Sequence, residues 1–218
     1  MNKEWSELNR ILQQQLKKKE TFSAGINTLL KLRRTLMEQI MQFRIELSDT
    51  DFCAMPYMNA KGYHNKTIAY SLWHIFRIED IVTHSLIEDV EQILFVGDYQ
   101  KRIKSPIITT ANELVKEEIK AFSDKLSIDE LYNYIADVDR DTIQILKSLT
   151  FHDLKEKISD EKRKKLESLN VVSTDENAYW LIDYWCQKDV RGLIQMPLSR
   201  HWIMHIEACI RIKDRQLK

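Results

Sequence analysis

Two histidines near the end of the sequence, His201 and His205, have the spacing of a metal-binding pair. Residues four apart on an α-helix lie one turn apart on the same face, so two imidazoles at this spacing can bind one ion. Chance alone gives such a pair in roughly one chain in seven of this histidine content, so the spacing is a weak signal. Trp202 stands where an HExxH motif has its glutamate, so a zincin-type peptidase is not indicated.

The direction in which the pair points is more informative than its spacing. A helical projection of residues 198–214 places His201, His205, Ala208 and Ile212 within one arc of about 60° on the apolar face. Imidazoles buried there without partners cost several kcal/mol in lost hydration. Either a shared metal ion or hydrogen bonds must compensate, and Ala208 leaves room beside the pair.

A tight metal site needs a third ligand. His64 falls in a long loop, His152 follows a predicted helix end, and His84 projects away from the apolar stripe of its helix. His74 lies at the edge of that stripe and can face a neighbouring helix. We therefore predict His74 as the third ligand, with a histidine bonded to a backbone carbonyl as the alternative.

The rest of the sequence is typical of one all-α domain over residues 1–218. Four glycines and three prolines in 218 residues are few against usual frequencies of about 7% and 5%, which favours long helices. A Thr-x-x-Glu pattern at Thr110 also predicts a helix start there, and residues 48–66 form a long loop. The four longest predicted helices, which shorter ones would surround, cover about 22–47, 67–95, 127–149 and 197–214.

Charge and composition disfavour several classes of protein. The 33 basic and 33 acidic residues leave no positive excess for a phosphate backbone, so we expect no nucleic-acid partner. No apolar run approaches 18 residues, so we expect no membrane span. The three cysteines are far apart and form no CxxC pair, which favours a reducing cytoplasm over a disulfide framework.

Two segments resemble the metal motifs of the DinB-like family: TIAYSLWHIFRIEDI at 67–81 and MPLSRHWIMHIEACIRIK at 196–213. The resemblance implies a four-helix bundle with one crossover connection, commonly a homodimer. It also implies a divalent metal, zinc or nickel, bound by His74, His201 and His205. The second motif lacks the additional adjacent histidine that is common in the family.

Two functions are consistent with these residues. Three protein ligands leave a divalent metal with an open coordination position. Enzymes of the resembled family use low-molecular-weight thiols at that position. The leading hypothesis is therefore a metal-dependent transferase or hydrolase acting on a small electrophile. The alternative is a non-enzymatic bundle that acts by dimerisation or partner binding in a stress response. The aromatic run 179–185 would then be an interface rather than the wall of a pocket.

Two further residues on predicted buried faces, Glu79 and Cys209, each allow more than one role. Glu79 lies near the centre of an apolar stripe, where a carboxylate needs a partner. It either accepts a hydrogen bond from a metal-binding side chain, acts as a general base, or pairs with an arginine such as Arg33, Arg34 or Arg44, and we favour the arginine. Cys209 is either a fourth ligand or an inert buried thiol.

Overall fold

Amphipathic segments form helices along most of the chain, as the apolar spacing predicts. The computed structural model describes residues 2–217, and within that range it contains no β-strand, only one isolated bridge between Lys157 and Asp189. The protein is therefore all-α. Its helices are α1 Lys3–Gln15, α2 Phe22–Glu46, α3 Asp49–Phe52, α4 Ile68–Asp80, α5 Ile93–Val96, α6 Tyr99–Ile103, α7 Glu117–Ser123, α8 Ile128–Ser148, α9 Asp160–Ser168, α10 Glu176–Cys186, α11 Val190–Gln195 and α12 His201–Gln216.

Four of these helices pack around the main core. α4 lies against α8 and α12, and α2 lies against the same two helices. Every residue of α4 is buried, because neighbours cover it on all sides. A second core lies among α1, α10, α11 and the segment after α4, and Phe95 and Ile108 pack against both cores.

The helix predicted over 67–95 is divided in the structure. α4 continues as a π-helical segment until Asp89, whose φ of 59° is left-handed and ends it. The buried carboxylate of Asp80 then accepts hydrogen bonds from the N–H groups of Ile93 and Leu94 at 2.8 and 3.0 Å. This carboxylate caps α5 from a distance, so a new helix begins where the periodicity predicts a continuous one.

The helix start predicted at Thr110 is also wrong. Ala111 and Lys116 have left-handed φ values of 64° and 45°, and α7 begins only at Glu117. The hydroxyl that reaches Glu113 belongs to Thr109, so the expected reciprocal cap does not form. The segment instead lies along α4 as an irregular loop and contacts His74 there.

The last helix begins with a wide turn. Residues Met196–Arg200 are π-helical, with Pro197 in the first turn, and α12 proper starts at His201. Such turns change which side chains face a neighbouring helix, and they are frequent at functional sites.

Within residues 2–217, no helix has both the length and the apolarity needed to cross a bilayer. Cys53, Cys186 and Cys209 are all unpaired.

Candidate metal centre

The three predicted ligands, one from α4 and two from α12, lie together in the interior. One ring nitrogen from each of His74, His201 and His205 lies within 4.8 Å of the other two. The Nε2 atoms of His74 and His201 are 3.1 Å apart. Nitrogens bound to one tetrahedral zinc at about 2.0–2.1 Å lie about 3.3 Å from each other, so this separation fits a shared ion.

Burial keeps these imidazoles in the form that binds metal. It lowers the pKa of His74 to about 4, although the hydrogen bond to the Thr110 carbonyl opposes the shift. It also lowers the pKa of His201 and of His205 well below the ordinary value, and the neighbouring histidines add to this effect. All three rings are therefore neutral at neutral pH, with lone pairs available for a metal.

Hydrogen bonds satisfy the cluster only in part. Nδ1 of His201 and Nδ1 of His205 are buried, and no described residue hydrogen-bonds either atom. Buried polar atoms left in this way are rare in folded proteins and lower stability. The 3.1 Å contact between Nε2 of His74 and Nε2 of His201 fits both compensations that the sequence allows, a hydrogen bond between core histidines and a shared ion.

A backbone segment fixes the orientation of His74. Four side chains of α4 donate hydrogen bonds to four consecutive carbonyls of residues 108–111, which we call the carbonyl strip. The pairs are Arg77 with Ile108, Trp73 with Thr109, His74 with Thr110 and Tyr70 with Ala111, at 2.8–3.1 Å. Because a carbonyl only accepts, His74 donates through Nδ1 and its Nε2 lone pair faces the other two histidines.

Aromatic rings enclose the cluster on two sides. The ring of Tyr70 stacks on His74 with a centroid separation of 5.7 Å and an interplanar angle of 9°. Tyr63, from the long loop between α3 and α4, meets His205 edge to face at 4.9 Å. Sequence reasoning did not find Tyr63, and the only signal available was the length of its loop.

Glu79 pairs with an arginine, as the sequence favours. Its carboxylate accepts two hydrogen bonds from Arg33 at 2.7 and 2.8 Å, and Arg33 also reaches Asp139 at 2.5 Å. The guanidinium lies 4.3 Å from the ring centroid of Trp202, beside His201 in α12. This ion pair occupies the carboxylate, so Glu79 is not free to act as a general base.

His84 is placed differently from the prediction. It is buried rather than facing solvent: its Nδ1 lies 2.9 Å from the Asp80 carboxylate, and its Nε2 lies 4.0 Å from the carboxylate of Asp141 in α8. An acidic residue four positions before a histidine was the signal that the sequence offered. His84 does not belong to the three-histidine cluster.

Cys209 is fully buried, and burial raises the pKa of its thiol to about 12. It does not belong to the ligand group, which agrees with the inert reading. A second group of possible ligands, His152 with Asp153 and Glu156, lies at the surface, where acidic groups are common without an ion.

A cavity of about 230 Å³ opens over the cluster. α10 supplies Trp180, Tyr184 and Trp185 to its wall, so the aromatic run lines a pocket next to the histidines. The remaining lining residues are Tyr63, His74, Ile78, Asn112, Leu181, Met196, Pro197, His201 and His205.

No protein-family model matches the chain. No curated protein matches it either. The DinB-like resemblance therefore depends on the two motifs alone.

Proposed function

We propose that this chain is a metal-dependent enzyme whose His74, His201 and His205 hold one divalent ion, zinc or nickel. The observation that carries the proposal is the convergence of three buried, neutral imidazoles from two helices, with ligand nitrogens within 4.8 Å. Three protein ligands are typical of catalytic zinc sites, whereas structural sites are closed by four.

The proposed reaction is the transfer or hydrolysis of a small electrophile, with water or a low-molecular-weight thiol as nucleophile. A divalent ion with an open position supplies a Lewis acid that lowers the pKa of such a nucleophile. His74 keeps its Nε2 lone pair directed inward through its bond to Thr110. Lys66 lies 5.0 Å from the Tyr70 ring centroid, and its charge acts on both His74 and His205, which favours a negatively charged nucleophile.

For the fold we propose a DinB-like four-helix bundle with a crossover connection, forming a single domain. α2 and α4 each pack against both α8 and α12, which supports a ring of four helices. In such a ring α2 and α4 stand diagonally, so the long segment between them crosses one end of the bundle. The unpaired cysteines support the cytoplasm as the compartment.

The second candidate function is a bundle that acts by dimerisation. Tyr179 and Trp180 are adjacent on α10, and they are 41% and 49% exposed. Aromatic residues are enriched at protein interfaces, and they are exposed when the subunit is alone. A homodimer through α10 is compatible with either function. Light scattering of the purified chain distinguishes monomer from dimer.

The test of the proposed enzyme combines metal content with turnover. Wild-type protein purified without chelators should carry one zinc or nickel ion per chain, and His201→Ala should carry none while keeping its helical circular dichroism. The exposed His152→Ala is the matched control and should match wild type. Turnover of small electrophiles, with water or thiols as nucleophile, should follow metal content. Equal metal content in His201→Ala and wild type would contradict the proposal.

A further inference from the structure

The cavity beside the three histidines has no charged wall. Its non-histidine lining consists of aromatic and aliphatic side chains, with Asn112 as the one amide. Lys66, the nearest charge that acts on the histidines, does not line it. In the metal-free chain, a charged ligand would lose hydration there without gaining an ion pair from the walls, whereas an uncharged one would not.

The size of the cavity limits the ligand to one or two rings. An engineered apolar cavity of about 150 Å³ binds benzene, so about 230 Å³ holds an aromatic ring with a substituent of a few atoms.

The walls are arranged for a flat ring. Trp180 and Tyr184 meet edge to face, with centroids 5.7 Å apart and planes at 73°. Trp185 is 1% exposed and forms a fixed inner wall. Aromatic ligands gain from edge and offset contacts with such rings beyond the burial of area alone.

The side chain of Asn112 can orient the ligand. The Thr110 hydroxyl donates to Oδ1 of Asn112 at 3.0 Å, which leaves the amide NH₂ of Asn112 as the donor for a ligand. A ligand that carries a hydrogen-bond acceptor matches this donor.

We propose that the cavity binds a small, uncharged aromatic compound bearing one hydrogen-bond acceptor, with its ring against Trp180, Tyr184 and Trp185. This inference rests on the proposed function and names its substrate class: the electrophile is an uncharged aromatic compound of one or two rings.

Three probes of similar size separate the contribution of the aromatic ring from that of charge. Benzamide is aromatic and neutral, benzoate is its charged counterpart, and cyclohexanecarboxamide is neutral without an aromatic ring. Titration calorimetry of the metal-free chain, in which no ion attracts benzoate, should show benzamide binding about tenfold more tightly than either of the others. Tighter binding of benzoate, or equal binding of the two amides, would overturn the inference.

Variants on α10 provide a matched pair. Trp180→Ala removes a wall of the cavity and should weaken benzamide binding about tenfold. Tyr179→Ala removes the adjacent exposed aromatic ring, which does not line the cavity, and should leave benzamide binding unchanged. Equal affinity in wild type and Trp180→Ala would overturn the inference.

Running each titration with and without chelator separates this inference from the proposed function. Benzamide binding in a chain that never takes up metal would support the binding site and contradict the metal-dependent enzyme. A chain that holds metal at the three histidines without binding benzamide would contradict the substrate class alone.

Discussion

His74 is held in place from two directions. Its Nδ1 donates to the Thr110 carbonyl, and its ring stacks on Tyr70, which itself donates to the Ala111 carbonyl. The ligand nitrogen is therefore oriented by contacts that do not depend on an ion. In metal sites, such supporting hydrogen bonds commonly contribute tenfold or more to affinity.

Tyr70→Phe should show this support directly. It removes the bond to Ala111 but keeps the ring that stacks on His74, so we expect a loss of about 1 kcal/mol in the free energy of unfolding and zinc binding that is weaker by less than about tenfold. Chemical denaturation and a competitive zinc titration measure the two quantities. Tyr132→Phe is the control, because it also removes a buried tyrosine bond to a carbonyl, that of Ile40. It should cost similar stability and leave zinc affinity unchanged; equal zinc affinities in both variants would contradict the support role.

The Arg33–Glu79 pair contributes to stability rather than chemistry. Arg33→Met leaves the fully buried Glu79 carboxylate without its partner, and breaking such a pair costs about 3–5 kcal/mol. Urea denaturation measures the loss. Arg10→Met breaks the exposed pair with Glu7 and should leave the unfolding midpoint unchanged. Equal midpoints for the two variants would show that the buried pair does not stabilise the fold.

At the scale of helices, local periodicity predicted the long regular elements and failed where distant groups decide the ends. α2 and α8 lie within one residue of the predicted ranges 22–47 and 127–149, because their apolar faces are uninterrupted. The start of α5 depends on Asp80, whose carboxylate accepts hydrogen bonds from the N–H groups of Ile93 and Leu94.

The sequence likewise predicted one part of the candidate site and missed another. The direction of His201 and His205 follows from helical projection, and His74 follows from its place at the edge of a stripe. Tyr63 and the carbonyl strip come from loops whose contacts with α4 and α12 are far apart in sequence. No periodic pattern encodes such contacts.

The Asp80–His84 pair should make stability depend on pH. Burial lowers the pKa of His84, but the hydrogen bond and charge of Asp80 outweigh it and raise the pKa above its ordinary value. Burial raises the pKa of Asp80, but its bonds with His84 and Arg77 leave it lowered. The contribution of Asp80 is lost as pH falls through its folded pKa, and that of His84 is lost as pH rises through its folded pKa. The pair therefore stabilises most between about pH 4 and pH 6.5.

His84→Gln tests this account. Between about pH 5.5 and about pH 8.5, the three buried histidines with lowered pKa values add stability in wild type and variant alike, whereas His84 loses its contribution in wild type alone. The urea midpoint of His84→Gln should therefore rise more across this interval than that of wild type. His152→Gln, at an exposed histidine, should behave as wild type. The same pH difference in His84→Gln and wild type would contradict the account.

At the scale of the whole molecule, the candidate centre lies where the two cores meet. Ile78, Leu181 and Trp185 line the cavity and belong to the second core, whereas α4 and α12 supply the ligands and contribute to the main core. An ion bound there connects helices from distant parts of the chain, so its binding should stabilise the folded state as a whole.

Thermal unfolding should report this coupling. Zinc at about a hundred times its dissociation constant adds about 2.7 kcal/mol, which raises the melting temperature of a chain this long by roughly 5–10 °C. His205→Ala should show no rise, and His64→Ala, in the loop outside the ligand group, should show the full rise. A rise in His205→Ala equal to that of wild type would place the zinc elsewhere.

The most direct measurement is anomalous X-ray scattering from crystals of protein purified without chelators. Data collected on either side of the zinc and nickel absorption edges should give one strong peak, about 2.0–2.1 Å from a nitrogen of each of His74, His201 and His205. Crystals of protein supplied with both metals that show no peak there, with the three rings bonded only to protein or water, would contradict the metal centre.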